Sequence, residues 1–139
     1  MSDIIKFADA EVGSEAPVLT HMLGRTDLVI YAGASGDFNP MHTDEVVATS
    51  VGQPSVFGHG MFSMGILGTA LTGWVGIENI KSFGVRFTKQ TWPGEVLSTN
   101  IKVTSIDQVG NKTIVSLDCS LMNQDGQVKV QGTATAWRC

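Results

Sequence analysis

An aspartate and a histidine, Asp37 and His42, stand five positions apart in the segment Ser35-Gly36-Asp37-Phe38-Asn39-Pro40-Met41-His42. On a loop held by Gly36 and Pro40 the two side chains can converge on one small volume and share a water between them. Imidazole titrates near neutral pH, and a carboxylate in a dry pocket has its pKa raised, so such a pair spans the range that general acid–base catalysis needs. The same residue types are ordinary turn vocabulary: Asp37 and Asn39 can bond their own backbone, and His42 can simply precede a helix cap at Thr43. Residue types alone leave both readings open.

A second candidate is Phe57-Gly58-His59-Gly60-Met61, at the start of an apolar run. The first turn of a helix has unpaired N–H groups that stabilise negative charge, so Gly60 N–H can receive a carbonyl oxygen as it becomes an oxyanion. Against this, a glycine before an apolar helix is common, and His59 also reads as a satisfied buried histidine. Other chemistries find less support. Asp37 and His42 lack a third metal ligand at a convincing spacing. Gly58-His59-Gly60 lacks the third glycine and preceding strand of a dinucleotide fingerprint, and there is no Gly-x-Ser-x-Gly elbow.

The elements that must position these residues divide into a helical first half and a strand-rich second half, the pattern of an α+β domain. A helix is expected over residues 26–34, with Thr26 as N-cap, Asp27 in the first turn, and Leu28, Tyr31 and Ala32 on one face. Thr43 is expected to cap a second short helix that ends near Gly52, with Val46 and Val47 inward. The run from Gly60 to Leu71 is apolar on nearly every side, as in a helix surrounded by protein, and its glycines predict close approach of a sheet. Beyond Asn79 the period becomes two: Phe83, Val85 and Phe87 alternate with polar or small residues. A turn at Trp92-Pro93-Gly94 and three further strands follow, joined at Gly110-Asn111 and Asp125-Gly126, both hairpin signals. The expected product is one long central helix against a curved antiparallel sheet.

Residues 1–139 fit a single domain with a sizeable core. A formal charge of −4 and a pI near 5.2 argue against a nucleic-acid partner. Cys119 and Cys139 read as free thiols, and the opening Met1-Ser2-Asp3-Ile4-Ile5-Lys6 lacks the pattern of a secretory leader. The expected location is cytoplasmic. Val46 to Ile77 contains no Asp, Glu, Lys or Arg, but Gly52, Gln53, Pro54 and Gly58 interrupt it and no basic cluster flanks it, so no membrane span is expected. Trp74, Trp92 and Trp137 are assigned to core, turn or interface packing.

Taken together these segments resemble the MaoC-like and R-specific enoyl-CoA hydratase family, with the related actinobacterial 3-hydroxyacyl-carrier-protein dehydratases. The family pattern Tyr-Ala-x-x-Ser-Gly-Asp-x-Asn-Pro-x-His stands intact from Tyr31 to His42. His59-Gly60-Met61, Val85-Arg86-Phe87 and Pro93-Gly94-Glu95 resemble its other motifs, and Val12-Gly13 and Asp27-Leu28-Val29 also fit. The resemblance covers essentially the whole chain. It implies a hot-dog fold, a homodimer in which sheets join, and no metal or organic cofactor. It makes Asp37 and His42 the acid–base pair that holds the reacting water, Asn39 a support for the substrate or that water, and Gly60 the oxyanion donor, with His59, Met61 and Ser35 against the substrate. The implied reaction is reversible hydration of a trans-2-enoyl thioester to the (R)-3-hydroxyacyl thioester, carried on CoA. The alternatives are dehydration of a 3-hydroxyacyl-carrier protein in fatty-acid elongation and a non-catalytic acyl-binding partner subunit. One departure is Gly68, where some members carry a serine; any equivalent bond would come from Ser63 or Thr69.

Overall fold

In a computed structural model, which describes residues 4–138, the chain forms five strands and three α-helices: β1 (Thr20–Met22), α1 (Arg25–Ser35), α2 (Glu45–Ser50), α3 (Gly60–Val75), β2 (Ile80–Phe87), β3 (Val96–Val109), β4 (Lys112–Met122) and β5 (Val128–Arg138). Cys139 and the first three residues of the expected N-terminal reading lie outside the described residues. The strands make one antiparallel sheet in the order β1-β3-β4-β5-β2. α3 lies against β2, β3, β4 and β5. This is the α+β, hot-dog arrangement expected from the sequence.

The hairpins fall where the turn residues are. Gly110 (φ 65°) and Gly126 (φ 77°) supply the positive φ that β3–β4 and β4–β5 require. Alternation then puts Leu97, Ile101 and Val103 of β3, Val115, Leu117 and Leu121 of β4 and Val130 and Ala134 of β5 on the buried face. They meet Ile66, Leu67, Leu71 and Val75 of α3 to form the core. β1, three residues long and without periodicity of its own, escaped the sequence reading; it is held through pairing with Leu97 and its neighbours on β3.

Gly132 of β5 faces Val85 of β2, and a Cβ there would collide with the Gly84 carbonyl oxygen and the Val85 backbone. Gly132→Ala is therefore expected to destabilise the fold by about 1–3 kcal/mol, read as a lowered urea midpoint.

Three local expectations are corrected. α1 is not capped by Thr26. It starts at Arg25, and Asp27 Oδ2 reaches back to the Gly24 N–H at 2.9 Å. α2 is capped by Asp44, not Thr43: Asp44 Oδ1 accepts from Val46 N and Val47 N at 3.0 and 3.2 Å. Within this helix Ala48 is buried and Val46 points to solvent, not inward as expected. Finally, α3 is not enclosed on every side. Ser63, Ile66, Leu67, Leu71 and Val75 are buried, while Met61, Gly65, Thr69 and Gly73 form an exposed face, and nothing approaches a Cβ built on Gly65 or Gly73.

Candidate active site

The segment between α1 and α2 is shaped by its own side chains. Gly36 ends α1 in the left-handed conformation (φ 78°) and donates its N–H to Ala32 O. Asp37 N donates to Ser35 Oγ at 3.1 Å, Asn39 N to Asp37 Oδ1 at 3.2 Å and Met41 N to Asn39 Oδ1 at 3.1 Å. The turn reading therefore holds for these three side chains. It does not exclude the chemical one, because the same bonds bring Pro40–His42 into a 3-10 turn that carries His42 inward.

His42 is buried, and its Nδ1 lies 2.6 Å from Phe57 O. A carbonyl only accepts, so the proton is on Nδ1 and the neutral ring keeps its lone pair on Nε2. The ring stacks on His59 at 3.9 Å and 27°. His59 Nε2 in turn donates to Asp37 O at 3.1 Å. Asp37, His42 and His59 bring ligand-type atoms within 4.8 Å of one another, so a third candidate metal ligand exists that sequence spacing hid. Stacked rings direct their in-plane lone pairs side by side rather than at one point, which suits ring support better than a shared ion.

His42 lines a cavity of about 660 Å³ together with Phe57, Gly58, Gly60, Ser63 and Thr91. Gly60 is the first residue of α3, where an N–H has no intrahelical acceptor. The Phe87 ring lies against it, 3.2 Å from where a Cβ would be. Ser63, one turn on, is buried and faces the same cavity, whereas Thr69 is exposed and donates its hydroxyl to Gly65 O at 2.8 Å. Of the two candidates for the bond missing at Gly68, Ser63 is the one at the cavity.

Other assignments change. Asp37 is exposed in the single chain, not in a dry pocket, because it sits on the outer side of the loop that buries His42. Asn39, exposed, spends its side-chain oxygen on the turn. His59 is 1% exposed and Met61 56%, and neither lines the cavity. His59 stands behind the pair as support, while Met61 belongs to the outer face of α3. Ser35 bonds Asp37 N and is likewise away from the cavity.

Burial pushes the His59 pKa below its ordinary value, against the opposing bond to Asp37 O. The neutral ring is thus favoured by folding. Its contribution is fully present above the unfolded-state pKa near 6.5 and is lost as pH falls from there through the lowered folded value. His59→Gln should flatten the fall in melting temperature between about pH 7.5 and pH 5.5; an unchanged slope would refute this assignment. The thiol of Cys119, buried in the sheet, is pushed up to about 12 and is not a nucleophile.

Sequence reading missed Thr91, Glu95, Lys129 and Phe57 as parts of this region. The cavity is also lined by the end of β2 and the segment after it, from Phe87 to Trp92, together with Gln127, Lys129 and Val130. Phe57 and Glu95 stood in quoted motifs but were given no role, while Thr91 and Lys129 stood in none. A Cβ on Gly58 would collide with the Thr91 hydroxyl, so the glycine allows the two segments to meet.

A hot-dog domain in which an Asp and a His come close together near the open N-terminus of a helix has the kinds of group that acid–base chemistry uses. Residues 6–122 match the MaoC-like domain, and the chain belongs to that family. It is 30% identical over 129 residues to the (R)-specific enoyl-CoA hydratase of Aeromonas caviae, covering 89% of this chain and 92% of that one. The solved structure of R-hydratase PhaJ1 from Pseudomonas aeruginosa superposes with a TM-score of 0.83 at 27% identity, covering 96% of this chain and 84% of that one. A 3-hydroxyacyl-thioester dehydratase Y of Mycobacterium tuberculosis is 42% identical over 81 residues, 55% of this chain but 28% of that longer protein. The family's chemistry is hydration and dehydration, and this chain is a hydro-lyase of that kind. Among the described residues no helix is long and apolar enough to cross a membrane.

Proposed function

We propose that the protein adds water reversibly across the 2,3 double bond of a trans-2-enoyl thioester to give the (R)-3-hydroxyacyl thioester, with CoA as the acyl carrier. The observation that carries this is the fixed tautomer of His42: the Nδ1–H bond to Phe57 O leaves Nε2 as the basic nitrogen of a ring lining the cavity, beside Gly60 at the start of α3. The thioester oxygen accepts from Gly60 N–H, which draws electron density from C3 and makes it electrophilic. A water held between Asp37 and His42 adds to C3 and gives up one proton to the basic member of the pair. The enolate, its charge on the oxygen at Gly60, collapses as C2 takes a proton back from the pair. One proton is taken and one returned, so the sum is addition of water, and solvent at the exposed Asp37 can rebalance the pair. Ser63 is a second donor to the substrate oxygen or the water.

The reading needs neither a metal nor an organic cofactor, so dialysis against EDTA should leave the rate unchanged. The phosphates of CoA need cations, and Lys81, Arg86, Lys89 and Arg138 are four candidates; Arg138 Nη1 donates to Phe7 O and Ala10 O at 3.2 and 2.7 Å and Lys81 lies over Trp137. Arg86 and Lys89 are left exposed, and Lys89 is at the cavity. Turnover of crotonyl-CoA, compared with crotonyl-carrier protein, tests the carrier; no activity on CoA with activity on carrier protein would transfer the reading to the dehydratase of fatty-acid elongation.

We further propose a homodimer, and a cytoplasmic location. β2 presents an unpaired edge at the end of the sheet, and α3 an exposed face at Met61, Gly65, Thr69 and Gly73. Such surfaces are covered when two copies join. Light scattering after gel filtration should give twice the mass of one chain.

A further inference from the structure

Lys129, which lines the same cavity as His42, belongs to a buried ion pair that the proposed reaction does not use. Lys129 on β5 is 2% exposed, and its Nζ lies 3.0 Å from Glu95 Oε2. Replacing a buried pair by apolar side chains is often neutral or stabilising, so its presence is not explained by stability alone. Its bonds all converge on one turn. Lys129 Nζ donates to Gln90 O at 2.8 Å, Trp92 N donates to Glu95 Oε1 at 2.6 Å, and Asn123 Nδ2 donates to Glu95 Oε2 at 2.7 Å. Burial alone would raise the Glu95 pKa, but the bonds from Asn123, Lys129 and Trp92 N outweigh it and hold the carboxyl below its ordinary value.

That turn is in direct contact with the segment that holds His42. Thr91 O accepts from Gly58 N at 2.9 Å, and the Trp92 ring meets the Phe57 ring edge-on at 6.0 Å. Phe57 supplies both the carbonyl that fixes the His42 tautomer and a ring set edge-on to the imidazole at 5.0 Å. We propose that Lys129 and Glu95 are positioning residues for His42: they lock residues 90–92, which lock Phe57 and Gly58, which hold the imidazole with its proton on Nδ1. The path runs through three consecutive contacts and needs no movement of the sheet.

This inference rests on His42 acting as proposed, but its test does not require turnover. In Lys129→Met/Glu95→Leu both charges leave together, so neither is stranded in the core. The proposal expects a folded protein whose 15N spectrum shows His42 losing its preference for the Nδ1–H tautomer, with kcat lowered about 10- to 100-fold and KM nearly unchanged. A folded double variant with wild-type His42 resonances and kcat would overturn it. If that variant does not fold, Trp92→Leu carries the test, because it removes the contact with Phe57 and leaves the ion pair in place; the same loss of tautomer preference is expected, and unchanged resonances would again overturn the proposal. If the wild-type enzyme hydrates no enoyl thioester but the tautomer shift appears, the proposed reaction fails and the positioning path stands.

Discussion

Asp37→Asn and His42→Ala are each expected to lower the hydration rate by about 10²–10⁴-fold, the range for a single general acid or base. The two substitutions differ in what else they disturb. Asp37 is exposed, and its Oδ1 accepts only the Asn39 N–H within the loop, so the isosteric asparagine should leave stability unchanged. His42 is buried, stacked on His59 and bonded to Phe57 O. Removing its ring leaves a small cavity and an unpaired carbonyl, and a loss of about 1–3 kcal/mol is expected alongside the loss of rate. Circular dichroism and a melting curve separate the two effects. Wild-type rates in both variants would remove the pair from the mechanism, whereas a wild-type chain without any hydration rate would favour a non-catalytic acyl-binding subunit.

The second large effect concerns a backbone atom. Gly60→Pro should abolish the proposed oxyanion donor while keeping α3. Proline is well tolerated at the first position of a helix, where its missing N–H has no intrahelical partner. The residue before it must be extended, and His59 already is, at φ −60° and ψ 135°. A fall in kcat of about 10²–10³-fold is expected, as for removal of one oxyanion donor. The proline ring also meets Phe87, whose ring stands 3.2 Å from a Cβ at this position. Gly60→Ala controls for that contact, since it adds the Cβ and keeps the N–H. If alanine and proline reduced kcat equally, crowding by Phe87 rather than loss of the donor would be the cause, and Gly60 would leave the mechanism.

Much of this site is written in local residue choice. Gly36 and Pro40 mark the ends of the loop, and the Asp37, Asn39 and Met41 bonds within it are those that such residue types make with their own backbone. The three long strands and their two hairpins follow from period-two alternation and from the positive φ of Gly110 and Gly126. The start of α3 at Gly60 was legible because an apolar run begins there. The cap of α1 was misjudged by two residues, Gly24 standing where Thr26 was expected, and that of α2 by one, Asp44 for Thr43. Asp27 Oδ2 reaches back to the Gly24 N–H at the start of α1, and Asp44 Oδ1 rather than the Thr43 hydroxyl takes the N–H groups of the first turn of α2.

By itself, then, the sequence determined the order of elements, the loop that presents Asp37 and His42, and the glycine that opens α3, because each depends on residues within a few positions of one another. Only the tertiary structure decided which nitrogen of His42 carries the proton, since that depends on a carbonyl at Phe57 on another segment. It alone put His59 behind the pair rather than in the cavity, left Asp37 and one face of α3 exposed, and buried Lys129 beside Glu95. These features arise where segments distant in the chain pack together. A lysine at residue 129 looks the same in sequence whether it meets water or a carboxylate, and the fold supplies the difference.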